Sequence, residues 1–146
     1  MQTNKQSKLE IYTSSTEDHT EIPYSKYGVS AGFPSPADDF IDLALDLNKE
    51  LIKNRASTFF ARVRGVSMID DGINDGDLLI IDKSKEATNG CLAIAYIDGE
   101  FTLKRIKIEE ECIWLVPANT KYKAIKITPN NDFTIWGIVT YIIKKI

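Results

Sequence analysis

Two side chains in this sequence could carry out covalent chemistry together, Ser67 and Lys104. Ser67 follows an alternating segment, Phe59 to Arg64, and a glycine, Gly65, and it precedes the acidic turn Asp70-Asp71-Gly72. A serine at a strand-to-turn junction keeps its hydroxyl near the surface, beside backbone N–H groups that no ladder has claimed. That is the raw geometry of a nucleophile with an oxyanion site next to it. Ordinary turn chemistry uses the same residues, so Ser67 alone leaves both readings open.

A serine nucleophile needs a base. The single histidine, His19, lies in a polar N-terminal stretch, which disfavours a Ser-His-Asp triad. A lysine can serve if it is neutral, and burial lowers a lysine pKa. In Phe101-Thr102-Leu103-Lys104-Arg105-Ile106-Lys107-Ile108 the two-residue period puts Leu103 and Arg105 on one strand face. Thr102, Lys104 and Ile106 then share the other. A solvated strand lysine fits this pattern too, so Lys104 also keeps two readings.

The elements that must hold these residues are strands. Phe59–Arg64, Leu78–Asp82, Cys91–Ile97, Glu100–Ile108, Ile113–Val116, Ala124–Ile127 and Phe133–Lys144 are β-branched or aromatic runs between turn signals. Asp98-Gly99 predicts a two-residue hairpin that pairs Cys91–Ile97 with the strand bearing Lys104. So many strands with so few helices predict a mainly β fold, a compact and largely antiparallel domain. The run from Asp70 to Asp77 departs from the calcium-loop spacing and lacks the closing glutamate. It is expected to be turn chemistry that fixes the Ser67 loop.

Ahead of the strands, residues 1–30 are polar, with scattered apolar residues and no clear period. They predict an extended, flexible arm that packs weakly or swaps onto a partner. Gly28 to Pro36 reads as a flexible joint followed by stiff prolines. Within it Ala31-Gly32 is a small, accessible peptide bond, and Pro34 keeps Phe33 out of the helical region. Ser35, Pro36, Asp38 and Asp39 form a helix-start signal, and Phe40, Leu43, Ala44, Leu47 and Leu51 recur at helical spacing. Asp46 could cap a second short helix. The acidic run from Asp38 to Glu50 is expected to be its solvated face.

The chain of 146 residues fits one domain with a sizeable core, and its net charge of −3 argues against a general nucleic-acid binder. Cys91 and Cys112 adjoin apolar runs and are expected to be buried free thiols. They form a poor zinc set with His19, and no cofactor or metal is expected. The N-terminus has no apolar signal-peptide core and the chain has no long apolar run, so a cytoplasmic location is the default.

Three blocks together carry a resemblance. They are Ala31-Gly32-Phe33-Pro34-Ser35-Pro36-Ala37, then Gly65-Val66-Ser67-Met68-Ile69-Asp70 with Asp75-Gly76-Asp77-Leu78-Leu79-Ile80, then Asp98-Gly99-Glu100-Phe101-Thr102-Leu103-Lys104. In this order, with near-equal spacing from Ala31 to Ser67 and from Ser67 to Lys104, they resemble the self-cleaving Ser-Lys peptidases of the LexA, phage-repressor and UmuD family. The resemblance implies a β-rich catalytic fold and a serine peptidase with Ser67 as nucleophile and Lys104 as base. It implies an oxyanion site at the backbone of Val66 and Ser67 and self-cleavage between Ala31 and Gly32. UmuD itself has cysteine at the position of Ala31.

It further implies an organisation into residues 1–31, an arm removed by cleavage; 32–57, a linker with a short helical segment; and 58–146, the peptidase and dimerisation domain. The implied role is in the SOS response to DNA damage. Cleavage is stimulated there by a filament of RecA on single-stranded DNA. The shortened homodimer then serves a Y-family, UmuC-like polymerase subunit in error-prone translesion synthesis. An uncleaved regulatory module and a LexA-like transcriptional regulator are the alternatives. The second is disfavoured because residues 1–30 are too few for a helix-turn-helix domain.

Overall fold

The computed structural model describes residues 8–13, 21–25 and 41–146. The described residues fall into two compact units, 8–13 with 56–146 and 21–25 with 41–55. The larger unit is one eight-stranded sheet in which every pairing is antiparallel. Its strands are β1 (Lys8–Thr13), β4 (Thr58–Arg64), β5 (Leu78–Asp82), β6 (Leu92–Ile97), β7 (Glu100–Ile108), β8 (Ile113–Val116), β9 (Ile125–Lys126) and β10 (Phe133–Ile143). Their order across the sheet is β1-β4-β5-β10-β6-β7-β8-β9. The mainly β expectation is met. The seven runs read from β-branched and aromatic periodicity all form strands, with ends displaced by no more than a residue or so.

Alternation along the strands builds two apolar layers, one on each face of the sheet. In β6, Leu92 and Ile94 join a cluster with Val63, Met68, Ile81 and Leu103, whereas Ala93 and Ala95 join Ile106, Leu115 and Ile138. The β6–β7 hairpin turns at Asp98-Gly99 as expected. Both residues have positive φ, 47° and 92°, the conformation that a tight two-residue hairpin demands and that glycine adopts without strain. Asp98 adds a brace by accepting from the Asn131 side chain at 2.8 Å and the Asp132 N–H at 2.9 Å.

Two expectations for the N-terminal half are corrected. Lys8–Thr13, expected to lie in a weakly packed arm, is an edge strand registered on β4 from Lys8↔Arg64 to Thr13↔Phe59. Leu9 and Ile11 pack against the cluster that contains Val63 and Leu103. β1 also approaches β7, so the sheet curls until strands far apart in its order become neighbours.

The helical reading from Phe40 to Leu51 holds only at its end. Ile41–Asp46 is a strand, β3, paired antiparallel with β2 (Glu21–Ser25), and only Leu47–Leu51 is helical, α1. Ile41, Leu43 and Leu45 also satisfy the strand period, and pairing with β2 decides between the two. Asp46 does cap α1, accepting from the Asn48 N–H at 2.9 Å, and it is buried rather than part of a solvated face. Ala31, Gly32, His19 and the helix-start signal Ser35–Asp39 lie outside the described residues. Among the described residues, no helix is long and apolar enough to cross a membrane. Cys91 and Cys112 are free thiols but only half-buried, because each stands at the margin of its apolar run.

Candidate active site

β4 delivers Ser67. The strand stops at Arg64, and Gly65 turns the chain with a φ of 107°, a region that side-chain-bearing residues rarely enter. The acidic segment after Ser67 holds this corner. Asp75 Oδ1 accepts from the Gly65 N–H at 2.8 Å. The Gly76 N–H donates to the Val63 carbonyl at 2.8 Å, the Val63 N–H donates to the Asp77 carbonyl at 2.9 Å, and Arg62 donates to the Gly76 carbonyl at 2.8 Å. The carboxylates of Asp75 and Asp77 are therefore engaged with the turn backbone, as the turn reading required. Asp77 is buried, accepts from the Asn74 N–H at 2.9 Å and is ion-paired with Lys144 at the end of β10.

β7 delivers Lys104. Its cross-strand partner is Ala93, a small and fully buried residue on the neighbouring β6. Ser67 and Lys104 are among the few buried polar side chains described, 3% and 7% exposed. Lys104 Nζ lies 3.1 Å from Ser67 Oγ, 2.8 Å from Thr102 Oγ1 and 3.0 Å from the Leu103 carbonyl. All three partners are uncharged. Burial disfavours the ammonium form, and it lowers the Lys104 pKa from the ordinary 10.5 to about 8.

The hydrogen-bond inventory then assigns protons. A neutral amine has two N–H groups and one lone pair. The Leu103 carbonyl can only accept, and Thr102 Oγ1 can accept the second N–H. The lone pair is left toward Ser67 Oγ, where it can take the hydroxyl proton. Thr102 and the Leu103 carbonyl thus orient the amine as well as solvate it.

Some contributors to this corner carry no local sequence signal. Arg105, on the opposite face of β7 from Lys104, donates to Asp71 at 2.9 Å and to the Gly90 carbonyl at 3.0 Å, so it ties the lysine strand to the serine turn. The loop after β8 supplies the rest. The Ala118 carbonyl accepts from the Asp70 N–H at 2.7 Å, the Ala118 N–H meets Met68 Sδ at 3.3 Å, and Asn119 Nδ2 donates to the Val66 carbonyl at 2.8 Å. Pro117-Ala118-Asn119 reads in sequence as a turn, and nothing in it names a partner fifty residues upstream.

The chain is similar to known proteins over most of its length. The Peptidase S24-like family matches residues 23–140. Protein MucA of Salmonella typhimurium is 38% identical over 136 residues, 92% of either chain. Protein SamA of the same species, strain LT2, is 42% identical over 115 residues, 79% of either chain. LexA repressor 1 of Xanthomonas campestris is 38% identical over 117 residues, which span 80% of this chain and 58% of the repressor. With a family match over most of its length and a relative, MucA, aligned over 92% of its own chain, this protein belongs to the Peptidase S24-like family, the LexA and UmuD group that its Ser67 and Lys104 blocks resemble.

Proposed function

We propose that this protein is a self-cleaving serine peptidase of UmuD type, with Ser67 as nucleophile and Lys104 as general base, cutting its own Ala31–Gly32 bond. The observation that carries the reading is the buried 3.1 Å approach of Lys104 Nζ to Ser67 Oγ, with no carboxylate against the lysine among the described residues. Neutral Lys104 takes the Ser67 proton as Oγ bonds to the Ala31 carbonyl carbon. The negative charge moves to the carbonyl oxygen, where the N–H groups of Val66 and Ser67 stabilise it. The lysine then gives its proton to the departing nitrogen of Gly32. Water enters next, loses a proton to Lys104 and releases Ala31 from the serine, whose oxygen recovers that proton.

Ala31 and Gly32 belong to the connection between β2 and β3, residues 26–40. A tethered substrate is already at high effective concentration, so little binding surface is needed. Control then falls on docking of that segment, which would exclude water from Lys104 and lower its pKa further. Cleavage there would leave residues 1–31 held by the β1–β4 and β2–β3 ladders, the apolar contacts of Leu9 and Ile11 and the Glu10–Arg64 ion pair, with no covalent link. In this reading RecA on single-stranded DNA promotes docking in the cytoplasm. The product, residues 32–146, forms a homodimer that serves a Y-family polymerase subunit in translesion synthesis.

The test is intact-mass spectrometry of the full chain with and without RecA, single-stranded DNA and ATP, beside Ser67→Ala. A fragment beginning at Gly32, absent from the variant, is expected. An unchanged mass under those conditions and at pH 10 would sink the peptidase reading in favour of an uncleaved regulatory module.

A further inference from the structure

We propose that Asn119 is a positioning residue that aims the oxyanion-binding N–H of Ser67. The inference rests on the peptidase reading and adds to it a residue outside the Ser67 and Lys104 blocks. A peptide unit is planar and trans, so its C=O and N–H point in opposite directions. The carbonyl of Val66 and the N–H of Ser67 belong to one such unit. Whatever fixes the first therefore fixes the second.

Asn119 Nδ2 donates to that carbonyl at 2.8 Å, a shorter contact than the 3.2 Å one the carbonyl receives from the Ile69 N–H within the turn. The amide of Asn119 has a single consistent orientation. Its Oδ1 accepts the Lys121 N–H at 2.9 Å, which leaves Nδ2 for Val66. A flipped amide would oppose two donors at one end and two acceptors at the other.

The side chain is itself anchored. The Tyr122 N–H donates to the Asn119 carbonyl at 3.0 Å, and the neighbouring Ala118 holds Asp70 and Met68 on the far side of Ser67. The loop between β8 and β9 thus grips the nucleophile turn on both flanks of the serine. Within this grip, the contact to Val66 is the one that sets the plane of the peptide entering Ser67. An aimed donor matters because oxyanion stabilisation depends on geometry held before the charge develops.

Asn119→Asp separates the two functions of the side chain. The carboxylate still accepts from Lys121 but cannot donate to Val66, and Asn119→Ala removes both contacts. Self-cleavage of the full chain is followed by intact mass from pH 7 to pH 10, with Ser67→Ala as blank. Thermal melting is recorded for each variant. The plateau rate is expected to fall about tenfold to a hundredfold in both variants, less than or comparable to loss of a whole oxyanion donor. In Asn119→Ala the midpoint of the pH profile should stay at the wild-type value, because no contact of Lys104 is removed, whereas the carboxylate of Asn119→Asp adds a negative charge near Lys104 and would raise it.

A plateau within about threefold of wild type in both variants would overturn the proposal. So would a midpoint displaced along with the rate in Asn119→Ala, which adds no charge, since that would put the effect on Lys104. A rate loss matched in both variants by collapse of the melting transition would also overturn it, since Asn119 would then serve stability alone. A wild-type chain that fails to cut at any pH would remove the peptidase reading itself, an outcome distinct from failure of the variants alone.

Discussion

Two lysines stand beside buried polar partners in this domain, and their surroundings are opposite. Lys104, in the middle of β7, has three uncharged partners and a pKa lowered to about 8 by burial. Lys144, just past β10, is 38% exposed in its side chain and is ion-paired with the buried carboxylate of Asp77. A carboxylate stabilises an ammonium, and a dry site without one destabilises it. The first arrangement suits a group that must give up and regain a proton. The second suits a tether that neutralises a buried acid where the turn after Ser67 returns to the sheet.

The comparison is broken most directly by exchanging the roles. Lys104→Ala should lower self-cleavage at every pH by about a thousandfold or more, because on the proposed mechanism it removes the base and the proton donor together. Lys144→Ala should leave the rate within about threefold, since it touches no reacting atom. Intact-mass time courses of both variants decide the matter. Equal losses would erase the distinction.

The pH profile sharpens it. Only neutral Lys104 can accept the serine proton, so the rate should rise about tenfold per pH unit below pH 8 and flatten above. The midpoint should lie at about 8, and Lys144→Ala should not move it. A profile flat from pH 6 to pH 9 would exclude Lys104 as the base.

The same depressed pKa has a cost in stability. Between pH 8 and pH 10.5 the unfolded chain holds a proton on Lys104 that the folded chain has released. Folding stability therefore climbs with pH through that window and is lowest below it. A depression from 10.5 to about 8 corresponds to about 3 kcal/mol. In a Ser67→Ala background, which prevents cutting, Lys104→Met should raise the unfolding free energy at pH 7 by up to that amount. The gain should fade as the pH approaches 10.5. Urea titrations at several pH values measure it, and a pH-independent difference would contradict the assignment.

The smallest effect belongs to the tether. Lys144→Met leaves Asp77 with the Asn74 N–H but no cation, and it should destabilise the fold by about 1–2 kcal/mol. The same urea titrations at neutral pH measure this loss. A neutral result would mean that the Asn74 contact suffices.

Most of the sheet was legible because its strands announce themselves locally. β5, β7 and β8 end where their apolar or β-branched runs meet turn signals, and Asp98-Gly99 dictates its own turn. Legibility fell where one stretch satisfied two periods. Phe40 to Leu51 is apolar at helical spacing and, at Ile41, Leu43 and Leu45, at strand spacing as well, so only the partner strand Glu21–Ser25 resolves it. In Lys8–Thr13 the alternation of Leu9 and Ile11 is too short to stand out from a polar arm, and the edge of β4 gives it a place.

The chemistry divides along the same line. The residue types alone specified a serine at a strand-to-turn corner and a lysine on a strand face with apolar neighbours, since both depend on contacts a few residues long. Their meeting is a tertiary fact. β4 and β7 are separated in the sheet by β5, β10 and β6, and only the curl of the sheet, with β1 lying against both, brings Ser67 to Lys104. The same holds for Asn119, Arg105 and Lys144, whose partners stand 53, 34 and 67 residues away. Local sequence sets period and turn, but the burial of Lys104 comes from every strand that packs there. That environment, and not the lysine alone, moves its pKa into the range where it can act as a base.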